Sequence, residues 1–377
     1  MSSIDIKSVE NSRSPYFRQF VHLPFEIYQN NPNWVPWFNR DIKMFIDRRH
    51  PLFEHTQGEF FVALKGREVT GRIFVFENKR YNETHKKNIA HFYFNDYIDD
   101  AQVATALFDT AVTWAKKRNL EAVFGPMGMG GLTGSGLLID GFDHRCAMTM
   151  QVYNHPYYMN LIESFGFSKH LDNYSFCMHD DGHVPQPLRD IAKQVLDKGE
   201  YKVLQFDSKK DMLKIVDELI RVYTITLAEH PANYFLSDNE LEYIKNSLYQ
   251  VADPNLIKIV SYKDEIIAFI LAFHDLSAAI QKSRGRLTPL SIYRIMREYK
   301  KTDWVLVNGI GIVPEHQGLG VNAVMYTELE KVIRGTYTQL KNLEMVQIQE
   351  TTVKMLSNAK TLKGQIRKTH RIYKYTI

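Results

Sequence analysis

The chain has 377 residues, 44% apolar and 24% charged, with a formal net charge of +4 and two cysteines. That length asks for two cores rather than one, and the two distant thiols, Cys146 and Cys177, exclude a disulfide framework and a cysteine-based zinc site. Both stand in apolar stretches and read as core thiols. No run of about 18 apolar residues is present to cross a bilayer, and the opening MSSIDIKSVENSRS lacks the apolar core of a secretory signal. A cytoplasmic location is expected.

In chain order, Tyr16 to Gln29 and Trp37 to Ile46 repeat apolar residues at helical spacing. EFFVALKG and REVTGRIFVFEN read as a hairpin turning at Gly66, and HFYFNDYI as a further strand. DDAQVATALFDTAVTWAKKRN is an amphipathic helix with acids at its start. AVFGPMG reads as a short strand, PYYMNLIESFGF as a helix ending at Gly166, and DNYSFCMH as a strand. GPMGMGGLTGSGLLIDGFD carries seven glycines before its final Asp and reads as a mobile loop beside the substrate cleft, or as a surface excursion.

The second half repeats that order. YKVLQF is a strand, Lys210 to Glu229 and Asp238 to Val251 are helices, and IKIVSYKDEIIAFILAFHDL is a hairpin turning at Lys263 and Asp264. DWVLVNGIGIV, NAVMYTELEKVI and LEMVQIQETT read as strand, helix and strand. Lys354 to Gln365 reads as a helix and HRIYKYTI as the closing strand. Matching element order is the mark of a duplicated domain, and DDGHVPQP at 180–187 suits a junction. The expected domains are 1–181 and 182–377, each an α/β unit with a mixed central sheet flanked by helices.

The sharpest local pattern is VNGIGIVPEHQGLGVNAVMYTEL. An apolar strand meets a proline, then a loop with Gly318 and Gly320, then a helix starting near Asn322, itself a suitable N-cap. Small residues let a ligand approach the backbone, and the N–H groups at a helix start favour an anion such as a pyrophosphate. No GxxxxGK[ST] is present, and the loop follows the fourth strand of its half, not the first, which argues against a Rossmann nucleotide site.

Gln317-Gly318-Leu319-Gly320-Val321-Asn322, preceded by Val313 and Pro314, resembles the Q/R-x-x-G-x-G/A signature of the GNAT N-acyltransferases, with Asn322 where that family prefers Gly or Ala. NNPNWVP, GRIFVFEN, ALFDTAVTWAKKR, GLLIDGFD, YNHPYYMNLIESFGF and HRIYKYTI extend the resemblance to a bacterial double-GNAT group that includes ceramide synthase-like proteins. The resemblance implies two tandem GNAT-like domains. It implies that backbone amides of Gln317, Gly318, Leu319, Gly320, Val321 and Asn322 hold the pyrophosphate of acyl-CoA or acetyl-CoA, the co-substrate, with no metal. It also implies that Gly311, Ile312 and Val313 pair with the pantetheine arm and that Asn358, at the start of the last helix, lies near it.

Acylating an amine needs a base, a polarised carbonyl and a proton for the leaving thiolate. Period-2 alternation puts Glu350 in phase with Val346 and Ile348, an apolar face where desolvation raises a carboxyl toward a useful base; a solvated carboxylate at a strand end is the alternative. The tyrosine that the family often places along its last helix as acid is replaced by Leu362, Gln365 and Ile366, leaving Tyr373 or a water as donor. His316 in the loop reads as a phosphate donor or a solvated histidine. The first half, with the acidic NDYIDDAQVATAL in place of the glycine loop, reads as a degenerate copy that shapes the acceptor side. It keeps the family-like Asn154, Tyr157, Tyr158 and Gly166-Phe167.

Lys282, Arg284, Arg286, Arg294, Arg297, Lys300 and Lys301 share 282–301 with Leu290, Ile292, Tyr293, Ile295, Met296 and Tyr299. That mixture suits a helix lying on an anionic membrane such as the inner membrane, binding of the CoA 3′-phosphate, or a solvated helix with one packed face. No RNP, helix-turn-helix or zinc-finger pattern points to nucleic acid. The expected function is transfer of an acyl group from acyl-CoA to a primary amine, with a sphingoid base as the lipid version. An N-acetyltransferase on a small or peptidic amine and a non-catalytic acyl-CoA sensor are the alternatives.

Overall fold

A computed structural model describes residues 3–129, 133–179, 183–226 and 234–377. The chain divides into two compact units. The first comprises Met1–Tyr174, Ser277–Ile295 and Arg367–Ile377, and the second Ser175–Leu276 and Met296–Ile366. The boundary expected at 181/182 lies outside the described residues. Each unit is assembled from separated stretches of chain.

Up to β7 the elements are β1 (Ile4–Ser8), α1 (Phe17–Ile27), α2 (Asn39–Ile46), β2 (Thr56–Lys65), β3 (Glu68–Asn78) and α3 (Lys79–His85). Then come β4 (Ile89–Tyr97), α4 (Ala101–Lys116), β5 (Ala122–Gly125), β6 (Leu137–Asp140), α5 (Tyr157–Phe165) and β7 (Ser168–Met178). After β7 follow α6 (Gln186–Asp197), β8 (Tyr201–Val203), α7 (Lys209–Leu213), α8 (Val216–Thr226), α9 (Asp238–Val251), β9 (Lys258–Tyr262) and β10 (Glu265–His274). The chain closes with α10 (Ser277–Ser283), α11 (Pro289–Glu298), β11 (Trp304–Ile312), α12 (Val321–Gly335), β12 (Asn342–Gln349), α13 (Val353–Thr361) and β13 (Gln365–Thr376).

In the first unit the strand order is β1-β2-β3-β4-β5-β13, with β6 also on β13. β4 and β5 are parallel, joined through α4, and the other pairs are antiparallel. α4 packs Leu107, Phe108 and Ala111, each fully buried, against Phe92, Tyr97 and Phe167. Burying side chains the size of Leu and Phe contributes about 1.5–3 kcal/mol apiece.

The second unit repeats the plan as β12-β11-β10-β9-β8, with β11 and β12 parallel and joined through α12. Both sheets are mixed and carry one crossover helix, the expected α/β architecture.

Several elements differ from expectation. The expected helix from Lys210 to Glu229 breaks into α7 and α8, and 227–229 lie outside the described residues. The last helix stops at Thr361, and Gln365 already belongs to β13. The chain's closing strand joins the first unit, where Tyr373 pairs with Gly125 and Thr376 with Ala122. Of the glycine-rich segment, 130–132 lie outside the described residues, but Leu137 and Leu138 are buried in β6. That part is packed sheet, not a mobile loop: a Cβ on Gly141 would collide with the Arg367 carbonyl. Cys146 and Cys177 are both buried, as core thiols should be.

Candidate active site

The second unit is built around a break in β11. Its ladder with β10 runs through Ile270↔Ile310 and resumes at Ala272↔Val307, so β11 carries one extra residue. Gly309 takes up the bulge at φ +132°, a conformation open to glycine and strained for other residues. On its other edge β11 pairs with β12 from Trp304↔Asn342 to Val307↔Met345. The two strands continue to Ile312 and Gln349, so they part beyond that point. Where parallel strands part, an extended ligand can hydrogen-bond one exposed edge. Gly311 is a close fit, since a Cβ there would meet Thr226 and the Phe269 ring.

The loop continues with Val313, whose N–H donates to the Ile267 carbonyl at 2.9 Å, and a single turn over Pro314–His316. Gly318 and Gly320 have φ of +79° and +86°, and Leu319 between them is exposed. A Cβ on Gly318 would meet nothing, whereas one on Gly320 would lie 2.6 Å from Ile191 Cγ2 of α6. Gly320, not Asn322, is the residue that caps α12, and no side chain caps that terminus. The first-turn N–H groups therefore have no intrahelical acceptor, and the positive end of the helix dipole stands behind them.

Lys354 Nζ donates to Gln317 Oε1 at 2.7 Å, and Gln317 Nε2 donates to the Ile312 carbonyl at 3.1 Å. A cation thus stands at the loop, which the sequence reading missed although Lys354 opens the following helix. His316 is less solvated than a loop histidine would be: its Nδ1 lies 3.0 Å from the Tyr201 hydroxyl and its ring packs on Tyr262.

Asn322 occupies the first turn of α12 and its Nδ2 lies 3.4 Å from Asn358 Oδ1. Asn358 is in the later part of α13, not at its start. One turn beyond Asn322 on α12 comes Tyr326, also missed, although its i, i+4 spacing from Asn322 puts both on one face. Its hydroxyl is buried beside Asn358, with no atom of the described residues at full hydrogen-bond geometry. Burial pushes it up to about 12, with the nearby Asn358 amide acting the other way, so it stays protonated at neutral pH.

Glu350 stands one residue past the end of β12 and is half-buried. Gln347 has φ of +59°, which breaks the alternation: Val346, Ile348 and Gln349 are all buried. Tyr373 belongs to the first unit. Its ring is in that core and its hydroxyl donates to Glu163 at 2.8 Å, while burial first and Glu163 second raise its pKa. The structure gathers Gly311, Ile312, Val313, Gln317–Asn322 and Asn358 along one run of loop, strand and helix ends in the second unit.

No protein-family model matches the chain. Protein YghO of Escherichia coli (strain K12) is 25% identical over 367 residues, covering 96% of this chain and 93% of that protein. A bacterial ceramide synthase of Caulobacter vibrioides (strain NA1000 / CB15N) is 22% identical over 305 residues, covering 79% of this chain and 78% of that enzyme. Among solved structures, a tandem GNAT protein from the clavulanic acid biosynthesis pathway matches with a TM-score of 0.55 at 10% identity, over 99% of this chain and 98% of that one. This chain has the tandem GNAT fold.

The first GNAT unit shows the same parting of strands with different contents. β4 pairs with β5 from Ile89↔Ala122 to His91↔Phe124, then continues to Tyr97. Beyond the ladder, the Phe92 carbonyl accepts from Met127 N–H at 2.9 Å. Tyr97 N–H donates to the Tyr158 hydroxyl at 2.9 Å, and the Tyr157 hydroxyl donates to the Tyr97 carbonyl at 2.7 Å. The helix that follows, α4, is capped by Asp100, whose carboxylate accepts from Gln102 N–H at 2.9 Å and from Lys65 Nζ at 2.7 Å. Among the described residues, no helix in either GNAT unit is long and apolar enough to cross a membrane.

Proposed function

We propose that the second GNAT unit binds acyl-CoA and transfers its acyl group to a primary amine. The observation that carries this reading is the uncapped start of α12 beside the parted strands β11 and β12. In this account the N–H groups of Gln317, Gly318, Leu319, Gly320, Val321 and Asn322 hold the pyrophosphate, with Lys354 adding a positive charge. The edge at Gly311, Ile312 and Val313 takes the pantetheine arm, and Asn358 steadies it. The amine nitrogen attacks the thioester carbonyl carbon, the C–S bond breaks, and Glu350 accepts the proton that the nitrogen gives up. The thiolate takes a proton from Tyr326, replacing Tyr373 in this role because the Tyr373 hydroxyl is committed to Glu163. Transfer is direct, with no acyl-enzyme.

The acceptor in this reading is a lipid amine of the sphingoid-base type. Similarity to a protein named bacterial ceramide synthase supports it, and so does α11. There Leu290, Ile292, Tyr293 and Met296 are 56%, 49%, 60% and 66% exposed. The seven cations of 282–301 are exposed too. Exposed apolar residues interleaved with basic ones suit the headgroup region of an anionic bilayer, where a lipid amine is found.

The test is a CoA-release assay crossing acyl-CoAs of increasing length with sphingoid, small and peptidic amines. Turnover of long-chain acyl-CoA with a sphingoid base is expected, and Tyr326→Phe should lower kcat by roughly 10–100-fold. Turnover confined to acetyl-CoA and a soluble amine would overturn the lipid reading. Sedimentation with phosphatidylserine vesicles should carry the protein down at low salt; equal recovery with neutral vesicles would contradict the role of the basic residues, and recovery with neither would remove the membrane contact.

A further inference from the structure

An apolar cavity lies in the second unit, between α12 and the face of the β11–β12 pair. Val305, Val307 and Ile310 of β11, Leu343 and Met345 of β12, and Leu329 of α12 form its walls, around a cavity of about 90 Å³ that is partly open to solvent. Its outer end is rimmed by Lys341, Arg334 and His183. Glu330 pins the segment before α6 there, accepting from Val184 N–H at 3.1 Å and from Arg189 at 3.0 Å. Close-packed cores avoid such a space, because unfilled apolar volume costs stability.

Its position follows from the strand geometry. A chain entering from the 317–320 loop along the β11 edge can travel in the sheet plane only until the ladder closes at Val307↔Met345. There it must leave the plane. Ile310 stands just before that point, Val307 at it and Val305 beyond it, and all three line the cavity. Tyr326, whose hydroxyl is buried beside Asn358, lines it too.

We propose that this cavity is the acyl-chain pocket of the second unit, a deepening that rests on the acyl-CoA reading above. From Ile310 back to Val305 it follows β11 for about 16 Å at roughly 3.3 Å per residue, far longer than an acetyl group. The walls are mainly aliphatic, with Tyr326 among them, and the charged groups Lys341 and Arg334 stand at the outer rim, so the occupant is a hydrocarbon tail of medium or greater length.

The experiment is calorimetry on the full chain with free CoA, acetyl-CoA and octanoyl-CoA, for wild type, Leu343→Trp and Ile333→Trp. The two variants fill the outer half of the cavity from a strand and from a helix, so one serves if the other fails to fold. Each buried methylene is worth about fourfold in affinity, so octanoyl-CoA should bind wild type at least about 100-fold more tightly than acetyl-CoA. A folded variant should lose most of that gain and still bind free CoA. Equal affinity of wild type for the two thioesters, or a gain that survives both folded variants, overturns the pocket while leaving the CoA site intact. Absence of binding by every CoA species would instead remove the acyl-CoA reading, and the pocket with it.

Discussion

The two GNAT units solve the same strand geometry in opposite ways. In each, a parallel pair parts after a short ladder and a crossover helix starts nearby. In the first unit the free edge of β4 is covered by Met127 and by the hydroxyls of Tyr157 and Tyr158, and the helix start is occupied by Asp100. In the second unit the edge of β11 parts from β12 with no such tyrosine bond among the described residues, and the helix begins at a glycine with no side-chain cap. A capping carboxylate is an internal anion: it satisfies the same N–H groups that would otherwise hold a phosphate. The difference teaches that, on this fold, ligand binding is a matter of what the protein leaves unfilled.

The largest effect should come from making the second unit resemble the first. Gly318→Asp puts a carboxylate beside the proposed pyrophosphate, in open space and at a φ that Asp tolerates. CoA affinity should fall by about 100-fold, or about 3 kcal/mol. Gly318→Asn, with the same shape and no charge, should lose less than about fivefold. Equal losses in both would show that the backbone, not charge, is at issue.

Next comes Tyr158→Phe in the first unit, which strands the buried N–H of Tyr97. Thermal or denaturant unfolding should show a loss of about 1–3 kcal/mol, with CoA binding unchanged. A shift in CoA affinity there would break the division of roles.

Asp100→Ala should cost about 1 kcal/mol as a lost cap. The carboxyl of Asp100 is held below its usual 3.8, chiefly by its bond to Lys65 and against the opposing effect of burial. A depressed carboxyl stabilises the fold above its unfolded value and loses that contribution as pH falls through the folded one. The gap between wild type and Asp100→Ala should therefore be full at neutral pH and close below 3.8. A gap that persisted at still lower pH would assign the loss to packing. Smallest of all, Lys354→Gln should weaken CoA binding a few-fold at low salt, or about 1 kcal/mol, with the effect vanishing at high salt.

Much of this was legible in the residues themselves. The repeated order of elements and the loop from Val313 to Asn322 carry local signals: alternation, glycine at positive φ, and a proline before a turn. What escaped depended on tertiary pairing or on one irregular residue. HRIYKYTI alternates as a strand should, but nothing local says that its partner is β5, more than 240 positions earlier in the chain. Gln347 at positive φ is invisible to a period-2 count, so Glu350 was placed in phase with Val346 when the phase is broken between them. Tyr326 was passed over because a tyrosine on an apolar helix face reads as core, and only the burial of its hydroxyl beside Asn358 distinguishes it. Asp100 was visible as acidity before α4, and its capping bond gives that acidity its physical meaning.

The most direct test of the central claim is the stoichiometry of CoA binding to the full chain by isothermal calorimetry, repeated on Gly318→Asp. One CoA per chain, with the heat largely abolished in the variant, is the expected result. Two CoA per chain, or one that binds undiminished to Gly318→Asp, would contradict the assignment of an open second unit and a filled first.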